Sequence, residues 1–386
     1  MKLIFWFLVV MVFYSYIGYG ALVWLLVKIR GRYGPEKLPE DMLPSVSMIV
    51  PCYNEQDYVG EKVKNSRELD YPEEKLQLIF VSDGSSDDTA AILSRTEGII
   101  HLHEQERKGK AAAMNRAVKH AGGEILVFCD ANTSLNREAI RLLVKHYADP
   151  ETGGVSGEKK ILLKKEGGVS SAGEDAYWKY ESFLKKGDSD LYTLAGAAGE
   201  LMSYRRELYE ELEPDTILDD FMQSMRIVLK GYRMVYEPEA LALETASENV
   251  KEEMKRKIRI CAGGWQSMSR LGPAFNFFRR PLAAFIFISH RVLRWSLAAF
   301  ALPFIFLLNF FLLAENSCFY LPLLLFQVLF YSLALLGWYL EKKNKKWKIS
   351  YVPYYFVVMN AAVFAGFKRF LAGEQTARWE KARRAS

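Results

Sequence analysis

The chain has 386 residues, 50% of them hydrophobic and 25% charged, with 51 basic against 46 acidic side chains. That length is roughly two to three domain equivalents, which excludes a single small binding module, and so much apolar material excludes disorder as the main state. The small basic excess gathers beside apolar runs (Lys28, Arg30, Arg32; Lys342, Lys343, Lys345, Lys346, Lys348), a placement that suits membrane orientation and not a nucleic-acid groove.

Residues 3–27 are almost wholly apolar and long enough to cross a bilayer, which takes about 20 residues. The run is too long for a signal-peptide core, so an anchor over residues 1–30 is expected. The basic residues after it put the following chain in the cytoplasm. The four cysteines, Cys52, Cys129, Cys261 and Cys318, are scattered without a CxxC pair and give neither a disulfide framework nor a zinc knuckle.

From residue 45 to about 270 the pattern changes. Short β-branched runs at 46–51, 76–81, 99–102 and 124–129 read as buried strands, with helical patterns between them near 57–69, 86–96 and 109–121. Such alternation predicts an α/β domain, a mostly parallel sheet with helices on both faces. Ligands of these sheets bind beyond the carboxyl ends of the strands, and the residues there are polar. They are Pro51-Cys-Tyr-Asn54-Glu55, Ser82-Asp83-Gly84 and Asp130-Ala131-Asn132. No GxGxxG follows the first strand, so a dinucleotide fingerprint is absent.

Each motif has a plain alternative. Ser85 or Ser86 can cap a helix, with Asp87 and Asp88 at its positive end. Asp83 precedes that cap, where a carboxylate can meet a base or ribose. Asp130 and Asn132, spaced i, i+2, can hold a hard cation against a diphosphate. Thr216 and Asp219 fit a capping box, which leaves Asp220 unexplained; adjacent carboxylates raise each other's pKa and suit one for general-base work. Lys255-Arg256-Lys257-Ile258-Arg259 opens a basic helix carrying Trp265 and Gln266, fit either for lipid headgroups or for a leaving diphosphate and a stacked sugar. His101 and His103 alternate along a strand as sheet residues.

After the domain, residues 272–291 read as an amphipathic surface helix, centred on 275–288. Residues 292–314 and 319–340 read as two spans within 292–340. Residues 349–367 are also apolar, but Lys368, Arg369, Arg378, Lys381, Arg383 and Arg384 follow them. An interfacial or re-entrant segment over 349–386 is preferred to a third crossing.

Taken in order, Val50-Pro51-Cys-Tyr-Asn54-Glu55, Val81-Ser-Asp83-Gly-Ser-Ser-Asp-Asp-Thr89, Gly109-Lys110-Ala-Ala-Ala-Met-Asn115, Cys129-Asp130-Ala-Asn132-Thr133 and Leu218-Asp219-Asp220 resemble the membrane-bound family 2 glycosyltransferases. That branch holds the cellulose, chitin, hyaluronan and poly-N-acetylglucosamine synthases. The resemblance implies a GT-A-type nucleotide-sugar-binding domain over 44–271. It also implies inverting transfer from a donor, UDP-sugar by resemblance, to a lipid-linked or glycan acceptor at the bilayer.

Carried over by position, Asp220 is the base, with Asp219 in place of the usual Glu beside it. Pro51, Asn54, Glu55, Asp83, Lys110, Asp130 and Arg259 serve the donor. Gly199, Glu200, Trp265 and Gln266 line the acceptor, and Asp130, Asn132 and Glu244 stand for Mg2+ or Mn2+. Two departures bear on activity: DAN replaces DxD, and Arg256-Lys-Ile-Arg259-Ile260 replaces QxxRW. They leave open a processive synthase, and also a tethered nucleotide-sugar-binding partner without turnover. An oligomer could supply further helices for a channel. The expected location is the plasma membrane of a bacterium or archaeon.

Overall fold

The apolar strand runs are continuous because both faces of the sheet are covered. In β1 (Val46–Cys52), Met48 and Val50 face one core and Ile49 the other. The first core takes Val59 and Val63 of α2 (Gln56–Arg67), Leu93 of α3 (Thr89–Ser94) and Ile140 and Leu143 of α5 (Ala139–Val144). The second takes Ala113, Met114 and Ala117 of α4 (Lys110–Val118) and Ile227 and Val228 of α7 (Asp219–Lys230). The structure, a computed structural model, describes residues 1–31, 39, 42–162, 169–245, 250–343, 345 and 347–377.

The other strands are β2 (Leu76–Asp83), β3 (Ile100–Glu104), β4 (Ile125–Cys129), β5 (Ser134–Leu135), β6 (Thr152–Leu162), β7 (Leu201–Arg205) and β8 (Arg233–Thr245). Their order in one sheet is β3-β2-β1-β4-β7-β6-β8-β5. The first four neighbours are parallel, as the βα alternation predicts. Beyond β4 the sheet is mixed, with β7 antiparallel to both β4 and β6. All four predicted strands are present within two residues of their expected ends.

Helix α1 (Lys2–Arg30) carries a π turn at Tyr14–Gly18. Phe5 packs with Ala301, Ile305 and Leu312 of α10 (Leu297–Leu312), and Tyr19 and Val23 pack with Leu184 and Leu191 of α6 (Val169–Leu191). Helix α8 (Val250–Arg270) closes the domain. Where the sequence predicts a surface helix and then a span from 292, the structure has α9 (Pro281–Trp295) joined to α10 at a 52° bend. The break falls at Ser296, whose hydroxyl donates to the Val292 carbonyl, a back-bond that bends helices.

Helices α11 (Ser317–Lys342) and α12 (Lys348–Ala372) complete the chain, and α12 is uninterrupted. Helices α1, α11 and α12 are long and apolar enough to cross a membrane, and the bent pair adds a fourth candidate. Arg32, Lys346, Arg378, Lys381, Arg383 and Arg384, which enter the orientation reading, lie outside the described residues.

Candidate active site

The loops after β1 and β2 are stapled to each other. Asn54, at φ 54°, accepts from the Ser86 N–H at 2.8 Å and donates its own N–H to Ser85 Oγ. Asn can hold this left-handed conformation through local hydrogen bonds. Glu55 N–H donates to Thr89 Oγ1, and Gln56 N–H to Asp87. Neither Ser85 nor Ser86 caps α3; both are taken by Asn54. The Asp87 carboxylate instead accepts from the Thr89 N–H and hydroxyl.

Asp83 is buried, and its carboxylate accepts from the N–H groups of Lys108 and Gly109, the latter at 2.7 Å. It thereby fixes the loop that opens α4. The loop lies so close that a Cβ on Gly84, at φ 65°, would meet Arg107 N at 2.5 Å. Arg107 in turn lies over the Tyr53 ring at 3.6 Å. Pro51, Tyr53, Glu55, Asp83, Arg107, Lys110, Asp130 and Asn132 line one hollow at these strand ends, so three of the remote polar turns do converge. Asn54 stands beside the hollow, holding its rim. His101 and His103 both bond Ser82 Oγ and belong to the sheet.

Lys110 joins this hollow to the second half of the site. Its ammonium lies 2.8 Å from Asp130 and 3.6 Å from Asp219. Burial works against the charge, but Asp130 and Asp219 hold the lysine pKa above its ordinary value. Burial raises the Asp130 carboxyl, and Lys110 opposes it.

Thr216 does not cap α7. The N-cap is Leu218, because Gln266 grips the preceding loop, accepting from Ile217 N–H and donating to the Asp215 carbonyl. Asp219 and Asp220 therefore fall in the first helical turn. Burial and the adjoining Asp219 carboxylate push Asp220 up to about 7, against the pull of Lys110. Gly199 comes right up to Asp220: a Cβ there would lie 2.9 Å from Oδ2.

Asn132 donates its amide to Glu244 at 3.0 Å. Glu244 is buried behind it and is also paired with the wholly buried Lys159, which lies 2.6 Å from Glu200 on its other side. Burial alone would lift Glu200, but Lys159 holds it well below the usual carboxylate range. Glu244 is thus placed behind Asn132 and does not line the hollow.

Arg259 is half-buried and charge-coupled to Asp219 and Asp220; desolvation lowers its pKa and the two carboxylates oppose that. It donates to the Ile217 carbonyl at 3.5 Å and does not line the hollow. Trp265 packs against Phe367 of α12, ring centroids 4.5 Å apart, and against Phe300 of α10. Among the described residues no three His, Cys, Asp or Glu side chains gather as a metal cluster.

Beside the hollow lies a cavity of about 730 Å³ that includes Asp220, Glu200, Ala197 and Ala198. It extends to Arg291 and Arg294 of α9, Tyr16 of α1 and Phe356 and Met359 of α12. Trp265 and Gln266 stand outside it. Sequence reasoning overlooked Arg107, although it follows β3 at a strand carboxyl end, the place to inspect. It also overlooked Lys159, which sits between Glu158 and Lys160 in β6 and reads in sequence as one of a run of surface charges, although it is wholly buried.

Residues 47–213 match the family model for glycosyl transferase family 2. The chain carries a family 2 glycosyl transferase domain. It is similar to a poly-beta-1,6-N-acetyl-D-glucosamine synthase of Staphylococcus aureus, 29% identical over 256 residues, covering 62% of this chain and 60% of that protein. A synthase of the same name from Staphylococcus epidermidis is 25% identical over 263 residues, covering 65% and 62%. The chain thus spans about 60% of the length of the curated relatives it matches. Among solved structures, a mannosyltransferase from Pyrobaculum calidifontis in complex with GDP-Man and Mn2+ superposes with a TM-score of 0.74 at 24% identity. That superposition covers 97% of this chain and 99% of the other, and it assigns the GT-A fold together with the flanking helices.

Proposed function

We propose that this chain is an inverting transferase that moves a sugar from a nucleotide-sugar donor onto a hydroxyl of a membrane-held acceptor, with Asp220 as the base. The observation that carries this reading is the Lys110 bridge, which sets Asp130 of the donor hollow against Asp219, the neighbour of Asp220 in the acceptor cavity. The acceptor oxygen attacks the anomeric carbon as its proton passes to Asp220. The new C–O bond forms, the bond to the diphosphate breaks on the opposite face, and a nucleoside diphosphate leaves. A group titrating near neutrality suits that proton transfer.

The hollow suits a nucleotide diphosphate. Tyr53 and Arg107 offer a stacked rim, and Lys110 supplies positive charge at its floor. Asp130 and Asn132 fit a divalent cation sparsely but sufficiently, since Mg2+ and Mn2+ sites often use one or two carboxylates plus substrate phosphates. Glu244 orients the Asn132 amide so that its oxygen is free to face the hollow. A cation held there would offset the charge of the leaving diphosphate. The Mn2+ of the Pyrobaculum enzyme supports this assignment.

The domain is assigned to the cytoplasmic side, since Lys28 and Arg30 end α1, Lys342 ends α11, and Lys343 and Lys345 follow it. Helix α12 then lies along the interface. Near its start Tyr354 donates to Glu341 at the end of α11, and near its finish Phe367 packs on Trp265 of the domain, so both ends stay on one side. The Arg256-Lys-Ile-Arg259-Ile260 sequence in place of QxxRW favours short or single additions over a long polymer.

The test is sugar transfer from UDP- and GDP-sugars in membranes carrying the wild-type chain or Asp220→Asn. Turnover that persists in the variant removes Asp220 as base; absence of turnover with every donor leaves the binding-partner alternative.

A further inference from the structure

The donor reading leaves unused a group of basic and aromatic side chains on the wall of the acceptor cavity. Four cations surround the Trp178 ring: Lys159 at 5.2 Å, Lys185 at 5.4 Å, Lys257 at 5.6 Å and Arg256 at 5.9 Å. Lys159 is paired with Glu200 and Glu244, while Arg256 and Lys257 share Glu253.

Lys185 differs from them. It is 2% exposed, and its ammonium has no hydrogen-bond acceptor among the described residues; it lies 5.4 Å from the centre of the Trp178 ring and 5.8 Å from that of Tyr236. The Trp178 indole N–H is buried and equally without an acceptor. Both residues line the cavity. Two buried donors with nothing to donate to are costly, and an anion between them would repay that cost.

Charge and shape agree with this. The lysines and arginines lining the cavity are Lys185, Arg256, Lys257, Arg291 and Arg294, against the carboxylates Glu181, Glu200 and Asp220, so positive charge is in excess. The side towards α1 and α12 is mostly apolar, with Val352, Phe356 and Met359 beside Tyr16 and Asn360, whose polar groups bond each other. The volume, about 730 Å³, lies in the range of roughly 300–1,000 Å³ typical of small-molecule sites.

We infer that the acceptor is a sugar carried on a lipid diphosphate, its hydroxyl at Asp220, its diphosphate at Lys185 and Trp178, and its hydrocarbon leaving between α1 and α12. This rests on the assignment of Asp220 as base. A bare lipid phosphate acting as nucleophile would already be ionised and would be repelled by the Asp220 carboxylate. A hydroxyl needs the base, the unpaired donors need an anion, and the apolar wall needs a tail; one molecule supplies all three.

The experiment measures thermal stabilisation of the purified full chain in detergent, without donor, by farnesyl diphosphate, farnesol, inorganic pyrophosphate and phosphatidylglycerol. Farnesyl diphosphate should stabilise most. Its apparent affinity should fall about tenfold or more in Lys185→Met and recover in Lys185→Arg. Equal stabilisation by farnesol, by pyrophosphate alone or by phosphatidylglycerol overturns the inference, as does an unaffected Lys185→Met. Should Lys185→Met fail to fold, the ranking of the four compounds on the wild-type chain decides. If farnesyl diphosphate does not bind while Asp220→Asn still abolishes transfer, the transferase stands without this acceptor. If it binds through Lys185 and no sugar moves, the site stands and the transferase reading falls.

Discussion

Gly199 and Asp220 approach each other so closely that a methyl group on the glycine would lie 2.9 Å from one carboxylate oxygen and 3.3 Å from its carbon. The glycine thus fixes where the proposed base can point. Gly199→Ala must push the carboxylate aside, and displacement by a fraction of an ångström is costly in a positioned site. Initial rates should show kcat lower by about 10- to 100-fold with the donor KM little changed. Wild-type kcat in this variant would mean that the carboxylate position is irrelevant.

Asp220 meets Asp219 on its own helix, Lys110 from α4, Glu200 from the loop before β7 and Arg259 from α8. With its carboxyl raised to about 7, the base is largely protonated in mild acid, so kcat should climb with pH and level off above about 7. Asp220→Asn should flatten the profile and cost about 10²–10⁴ in rate. Stability moves the other way. Between the unfolded value near 3.8 and about 7 the folded chain holds the extra proton, so folding weakens as pH rises through that window. Melting curves should therefore show Asp220→Asn above wild type at pH 8, with the gap closing towards pH 5.

How much of this was legible beforehand depended on how local each signal is. Strand runs such as 46–51 declare themselves because they are buried on both faces, and Asp83, Asp130 and Asn132 declare themselves by following such strands. The β7 reversal is set by pairing with residues 125–129, far away in sequence, and so left no local mark. The Asp219-Asp220 pair is visible in sequence, but its cap is not: Thr216 fits a capping pattern, while Gln266, about fifty positions later, holds the loop that puts Leu218 at the N-cap. The same tertiary contact places Gln266 outside the cavity that holds Asp220. Trp265 follows the same logic, since its partners lie on α10 and α12. The orphaned donors of Lys185 and Trp178 show only in three dimensions, because an unmet hydrogen bond is defined by what surrounds it.

Lys159 is fully buried between Glu200 and Glu244. Lys159→Met removes the cation and leaves two carboxylates facing each other in a desolvated site, a change that costs about 3–5 kcal/mol when one member of a buried ion pair is lost. The chain should melt far lower and unfold at lower denaturant. Pairing the change with Glu244→Gln should return part of the loss. A melting temperature like that of wild type would show that the three groups are not coupled.

The neutral Asn132, where related motifs carry a second aspartate, has a cause in its neighbour. Its amide donates to Glu244 at 3.0 Å, so an aspartate there would set a second carboxylate against a buried one. Asn132→Asp should therefore fail to improve Mn2+-dependent transfer and should lower stability, although it adds a formal ligand charge. Asn132→Asp with Glu244→Gln restores one donor and one acceptor across the same gap, and the double-mutant cycle should show a favourable coupling of about 0.5–3 kcal/mol. Removal of divalent ions with EDTA should abolish transfer in the wild-type chain, Mn2+ should restore it, and Asp130→Asn should need far more Mn2+ for half-maximal rate. If EDTA leaves the rate untouched, Lys110 and the hollow alone balance the diphosphate, and Asp130 serves only to hold Lys110 in place.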